Sequence, residues 1–88
     1  MTRTLIGPTV PDLLVRAADR LRAENPGGPM TEGGRLSTLL VTVADVPGER
    51  ERQRLNREAL AHAPQVRAGV TRGEYAVLLT QAAREAAR

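Results

Sequence analysis

The side chains in this sequence best suited to chemistry are its arginines. All thirteen Lys+Arg residues are arginine, and against ten acidic residues they leave a net charge of +3. A guanidinium is a rigid, permanently charged fork that grips phosphate or carboxylate bidentately, where an ammonium acts as a point charge. The pattern also has a compositional source. Lys, Phe, Tyr, Ile, Asn and Met, whose codons are AT-rich, total six residues, against forty for Gly, Ala, Arg and Pro. A GC-rich genome imposes such a skew, so the missing lysines say less about anions than their absence suggests.

Position sorts the arginines. Arg50, Arg52, Arg54 and Arg57 crowd one stretch, and a helix projecting them could lie along nucleic-acid phosphates. Glu49, Glu51 and Glu58 interleave with them, and the spacings Glu49 to Arg52, Glu51 to Arg54 and Arg54 to Glu58 suit intrahelical ion pairs. This stretch reads as a self-neutralising solvated face. From Gln65 onward, Arg67, Arg72, Arg84 and Arg88 meet only Glu74 and Glu85. These four are the candidate contacts for an anion or for nucleic acid. Arg67 and Arg72 are favoured, because the start of the last helix would add backbone donors and positive potential. A helix-turn-helix across Leu60 to Tyr75 fits poorly, since Pro64 and the long spacing from Ala63 to Thr71 exceed its usual tight turn.

Other chemistry is thinly provisioned. His62 is the only histidine and the chain has no cysteine, so His62 with Glu58 gives two ligands and no metal site. Helical phase sets His62 beside Leu55, on the packed face near a helix end. Gly33-Gly34-Arg35, after Gly27-Gly28, has the outline of a phosphate cradle but lacks the Gly-Lys-Ser/Thr ending and a preceding strand. It reads as a flexible connector. Ser37 is the single serine and has no histidine near it in sequence, and Glu49 and Glu51 sit among arginines that would not drive two carboxyl pKa values apart. The sequence therefore predicts no catalytic, cofactor-binding or metal-binding residues.

The elements that would position these side chains follow from apolar spacing. Val10, Leu13, Leu14, Ala17, Ala18 and Leu21 share one face of a helix over about 9–24, with Thr9 and Asp12 as an acidic capping box. Asn25-Pro26-Gly27-Gly28-Pro29 stops it and opens a flexible loop over 25–34. Residues 35–45 are ambiguous: Leu36, Leu39, Leu40 and Val43 fit a helix, while alternation through Val41 and Val43 would suit a strand. A helix is favoured, because the only strand partner on offer is the short Thr4-Leu5-Ile6 segment. Pro47 suits the first turn of a third helix over 47–63, anchored by Leu55, Ala59, Leu60 and Ala63, whose charged first half projects outward. Thr71 and Glu74 form the capping box of a fourth helix over 71–87, with Val70 and Tyr75 as its hydrophobic staple. Tyr75, Leu78, Leu79, Ala82 and Ala86 supply its core stripe. Ala76, Ala83 and Ala87 form a small-residue shoulder where a second helix could approach closely, so this helix is either central or at an oligomer interface.

These features predict a single all-α domain over residues 1–88, with three or four helices; the alternative is an α+β fold with a minimal two-stranded sheet. The aliphatic core is thin, with one aromatic residue, Tyr75, in 88 positions. No apolar run suits a signal peptide or a membrane span, and the cysteine-free chain suits a reducing compartment, so a cytoplasmic protein without membrane contact is expected. The functional expectation is a non-catalytic interaction or regulatory module that binds a protein partner or forms a homodimer. A small DNA-binding regulator is the alternative.

Overall fold

The computed structural model describes residues 7–88. They form four helices, α1 (Val10–Ala23), α2 (Glu32–Thr42), α3 (Glu49–His62) and α4 (Arg72–Ala86), with no sheet among the described residues. The domain is all-α, and the ambiguous stretch 35–45 is helical through Thr42. The Thr4–Ile6 segment, the proposed strand partner, lies outside the described residues.

α1 and α4 are the packed pair, and both start as the sequence predicts. The Thr9 hydroxyl accepts from the Asp12 amide at 3.3 Å while the Asp12 carboxylate accepts from the Thr9 amide at 3.0 Å. Thr71 and Glu74 repeat the arrangement, at 3.1 and 2.8 Å. All six apolar positions read for α1 are buried. In α4 the buried face is rotated from the expected stripe: Tyr75, Ala76, Leu79, Ala82 and Ala83 are buried, whereas Leu78 and Ala86 are half-buried. The small side chains of Ala76 and Ala83 let α1 approach closely, which draws that side of α4 inward. Both alanines therefore serve the chain's own core, and only Ala87 of the shoulder is exposed.

The segment 25–34 is not a free connector. Met30 donates to Val70 O at 3.0 Å, Arg72 to Gly28 O at 2.9 Å and Gly73 to Pro26 O at 2.8 Å, around an antiparallel bridge between Pro29 and Thr71. Met30 is buried in the core. The glycines serve close approach here: a Cβ on Gly73 would meet Pro26 O at 3.2 Å. Asn25, in the left-handed region at φ 53°, turns the chain out of α1.

α2 begins earlier than its glycines suggested. Thr31 caps it, accepting from the Gly34 amide at 2.9 Å, so Gly33 and Gly34 fall in the first turn rather than in a loop. Pro47, expected in the first turn of α3, instead precedes its N-cap, Gly48, which needs the positive φ of 90° that glycine allows.

The face of α2 is the main departure. Thr38, Leu39, Thr42, Val43 and Val46 are buried, and Arg35 turns inward with its side chain 15% exposed. Leu36 and Leu40, which share the helical spacing of Leu39 and Val43, are 46% and 60% exposed, and Val41 beside them is 50% exposed. Thr42 satisfies its buried hydroxyl by donating to Thr38 O at 2.7 Å. Arg35 lies on this inward face with Leu39 and Val43, and its guanidinium reaches the end of α3.

Candidate interaction surface

Arg35 and Tyr75 close the C-terminus of α3. The carbonyl of Leu60 would ordinarily receive the amide four residues on, but that residue is Pro64, which has none. The Arg35 guanidinium takes the place, donating to Leu60 O at 2.7 Å and to Ala63 O at 3.3 Å, and its other arm pairs with Glu32 at 2.8 Å. The Tyr75 hydroxyl donates to Pro64 O. Burial raises the Tyr75 phenol above its ordinary pKa, so the hydroxyl keeps the proton it donates. The Gly-Gly-Arg stretch is thus a helix start followed by an inward arginine, not a phosphate cradle.

Two further arginines act in the same way. Arg72 Nε donates to Glu24 O, at the end of α1, at 2.8 Å, and Arg52 donates to Val46 O, in the turn before α3, at 2.9 Å. Arg54 is held between Glu51 and Glu58, both at 2.6 Å. Those hydrogen bonds raise the Arg54 pKa and hold the Glu51 carboxyl below its usual range. The predicted pair of Glu49 with Arg52 does not form, since Glu49 accepts from Gln53 at 3.3 Å and Arg52 turns to Val46.

The four candidate anion contacts do not converge. Arg72 is half-buried against α1, whereas Arg67, Arg84 and Arg88 are exposed. Twelve residues separate Arg72 from Arg84, which on an ideal helix is about 18 Å along the axis and about 120° around it. The start of α4 offers no spare donors either. Its amides from Thr71 to Glu74 are bonded to Glu74 Oε1, Gly28 O, Pro26 O and Thr71 Oγ1 in turn. His62 is exposed at the last position of α3, not on the packed face, because the burial runs through Leu55, Ala59 and Ala63. Among the described residues, no group of three His, Asp or Glu side chains could hold a metal ion, and no helix is long and apolar enough to cross a membrane.

What the structure brings together instead is the outer face of α2. Gly33, Leu36, Ser37, Leu40, Val41 and Ala44 are all exposed, and none is charged. Between Gly33 and Ala44 the only charge is that of Arg35, which points inward. Leu36, Leu40 and Val41 present on the order of 300 Å² of surface, at the lower end of the largest apolar patch a monomer ordinarily exposes. Beside it lies a groove of about 570 Å³, with Leu40, Val43 and Ala44 on one wall and Glu49, Arg52 and Asn56 on the other. The Asn56 Oδ1 atom is buried without a hydrogen-bond partner. By contrast Val15 and Val77, 41% and 50% exposed, are single valines on two other helices.

Sequence reasoning missed this surface because it used the spacing of Leu36, Leu39, Leu40 and Val43 to recognise a helix without separating the positions that face water. A signal was present: residues 36–44 are uncharged on every side of the helix, and such a helix has apolar surface to spare unless it is covered all round. Comparison with protein-family models, with curated proteins and with solved structures finds no match to this chain.

Proposed function

We propose that this protein is a non-catalytic helical interaction module that engages another protein chain through the outer face of α2. The observation that carries this reading is the uncharged stripe of Leu36, Leu40 and Val41, left in water while Thr38 and Thr42 are buried on the opposite side. Burying one leucine is worth roughly 1.5–3 kcal/mol, so this surface has a substantial driving force to meet a partner. A reducing, cytoplasmic setting belongs to the same proposal and rests on the cysteine-free sequence.

DNA binding, the alternative reading, has less behind it. Its arginines are dispersed, Arg72 is engaged with the end of α1, and the donors at the start of α4 are taken.

The test is a comparison of wild type with Leu40→Glu in affinity isolation from the source cells. Leu40 is 60% exposed, so the variant retains the fold, checked by its melting curve, and loses proteins that the wild type retains. Identical sets of bound proteins from a folded variant would remove the α2 face as the contact surface.

A further inference from the structure

We infer that the cleft where α1, α2 and α4 meet binds a phosphate group, held by Arg20, Arg72 and the hydroxyls of Ser37 and Thr38. This site is separate from the apolar face of α2 and does not depend on what that face engages.

The cleft has a volume of about 230 Å³ and gathers side chains from three helices: Arg20 and Glu24 from the end of α1, Ser37, Thr38 and Val41 from α2, and Arg72 from the start of α4. Arg72 is set up to grip an anion. It is half-buried, and its Nε is fixed on Glu24 O at 2.8 Å, which orients the guanidinium and leaves both terminal nitrogens without a hydrogen bond or ion pair among the described residues. That pair of nitrogens is the fork that meets two oxygens of one anion. The Glu24 carboxylate does not occupy it. It lies 3.8 Å from Arg20 instead, in a loose pair whose side chains are 42% and 61% exposed.

Thr38 supplies an independent observation. The residue is only 8% exposed, yet its hydroxyl makes no hydrogen bond among the described residues. Nor is that oxygen sealed in the core, where the unpartnered side-chain atoms are Arg35 Nε and Asn56 Oδ1. The hydroxyl therefore opens into the cleft that Thr38 lines, a donor without an acceptor. Ser37 beside it donates only across a long 3.3 Å bond to Gly34 O, which an outward turn of its hydroxyl exchanges for a ligand oxygen.

The arrangement of these donors selects the ligand. They approach from three helices, and a phosphate group presents three tetrahedral oxygens to such a set, whereas a planar carboxylate presents two. Two guanidinium groups against the one carboxylate of Glu24 leave the lining net positive. A single site of this kind gives no measurable hold on duplex DNA, whose binding sums contacts to many phosphates.

The test is a titration of the full chain with inorganic phosphate, followed by amide and arginine Nε resonances and compared with sodium chloride at matched ionic strength. Saturable shifts are expected at Arg20, Ser37, Thr38 and Arg72, beyond any that chloride produces. Arg72→Gln should weaken binding about tenfold or more, the ratio for loss of one charge-assisted hydrogen bond. That variant also gives up the bond to Glu24 O, so Thr38→Val, which keeps the buried shape and removes only the hydroxyl, and Arg20→Gln carry the test if it fails to fold. Both should weaken binding several-fold, Glu24→Gln should strengthen it by removing the competing carboxylate, and Arg84→Gln, on the same helix as Arg72 but outside the cleft, should leave it unchanged. Glycerol phosphate and N-acetyl-phosphoserine amide, titrated in the same way, distinguish a free ester from a phosphorylated side chain as the source of the group. Shifts no larger than those in chloride, or a phosphate affinity indifferent to both Thr38→Val and Arg20→Gln, would overturn the site.

Discussion

Replacing Arg35 with methionine separates the role assigned to this arginine from simple space-filling. Methionine keeps most of the aliphatic stem and removes the guanidinium. Two hydrogen bonds to α3 carbonyls are lost, at 2.7 and 3.3 Å, and Leu60 O loses a donor that Pro64 cannot replace. Bonds from a charged donor are worth about 1.5–3 kcal/mol each, the longer one contributing least. The pair with Glu32, whose carboxylate side is 59% exposed, adds only about 0.2–0.5 kcal/mol. An opposing term exists, because Arg35 Nε is buried without a partner and its removal relieves that cost. The balance is a loss of about 2 kcal/mol, which for a domain this small lowers Tm by roughly 8–16 °C. Urea unfolding followed by far-UV circular dichroism measures it directly. Because the contact is largely shielded from water, the loss should persist at high salt. A loss below about 0.5 kcal/mol would refute the capping role. Faster amide exchange confined to the last turn of α3 would locate the effect where the geometry puts it.

Three other perturbations bear on the same structure. Tyr75→Phe keeps the buried ring and removes the donor to Pro64 O, so it should cost about 1–2 kcal/mol in urea melts; an unchanged midpoint would mean that Pro64 O finds another donor. Asp12 is held below the usual carboxylate range by the Thr9 amide and then by the Thr9 hydroxyl, so its stabilisation is complete above about pH 4 and is lost as pH falls through the lowered folded value. Asp12→Asn should flatten the acid limb of a pH–Tm profile, and an unaltered limb would count against the capping box as its source. Random duplex DNA at about 50 mM salt should leave fluorescence anisotropy unchanged with micromolar protein, whereas salt-sensitive binding would revive the arginine reading.

Local signals in the sequence were read accurately at the starts of α1 and α4. Both capping boxes form as their Thr-x-x-Asp and Thr-x-x-Glu spacings require, and the α1 stripe is buried at all six positions. Thr31 escaped notice as a cap because the two glycines after it resembled a loop. The path of 25–34 was illegible for a different reason: its long-range hydrogen bonds run to residues 70–73, forty or more positions away in sequence. The partners of Arg72 and Arg35 were illegible for the same reason. Arg72 was read as an anion contact and Arg35 as part of a flexible connector, and the fold supplies each with a carbonyl at the end of another helix.

The orientation of α2 joins these errors to the proposed surface. A monomer judged by burial alone would turn Leu36 and Leu40 inward and leave Arg35, Thr38 and Thr42 in water. The observed helix does the reverse, and one contribution is visible at Leu60 O, which Pro64 cannot serve and Arg35 does. With Arg35, Leu39 and Val43 on the inner side, the leucines at 36 and 40 fall outward by helical phase. A conflict between local apolar patterning and the final fold is the kind of inconsistency that tends to mark functional positions. Here it leaves the domain with an uncharged aliphatic stripe in water. Association through α2 would resolve the conflict without disturbing the cap on α3.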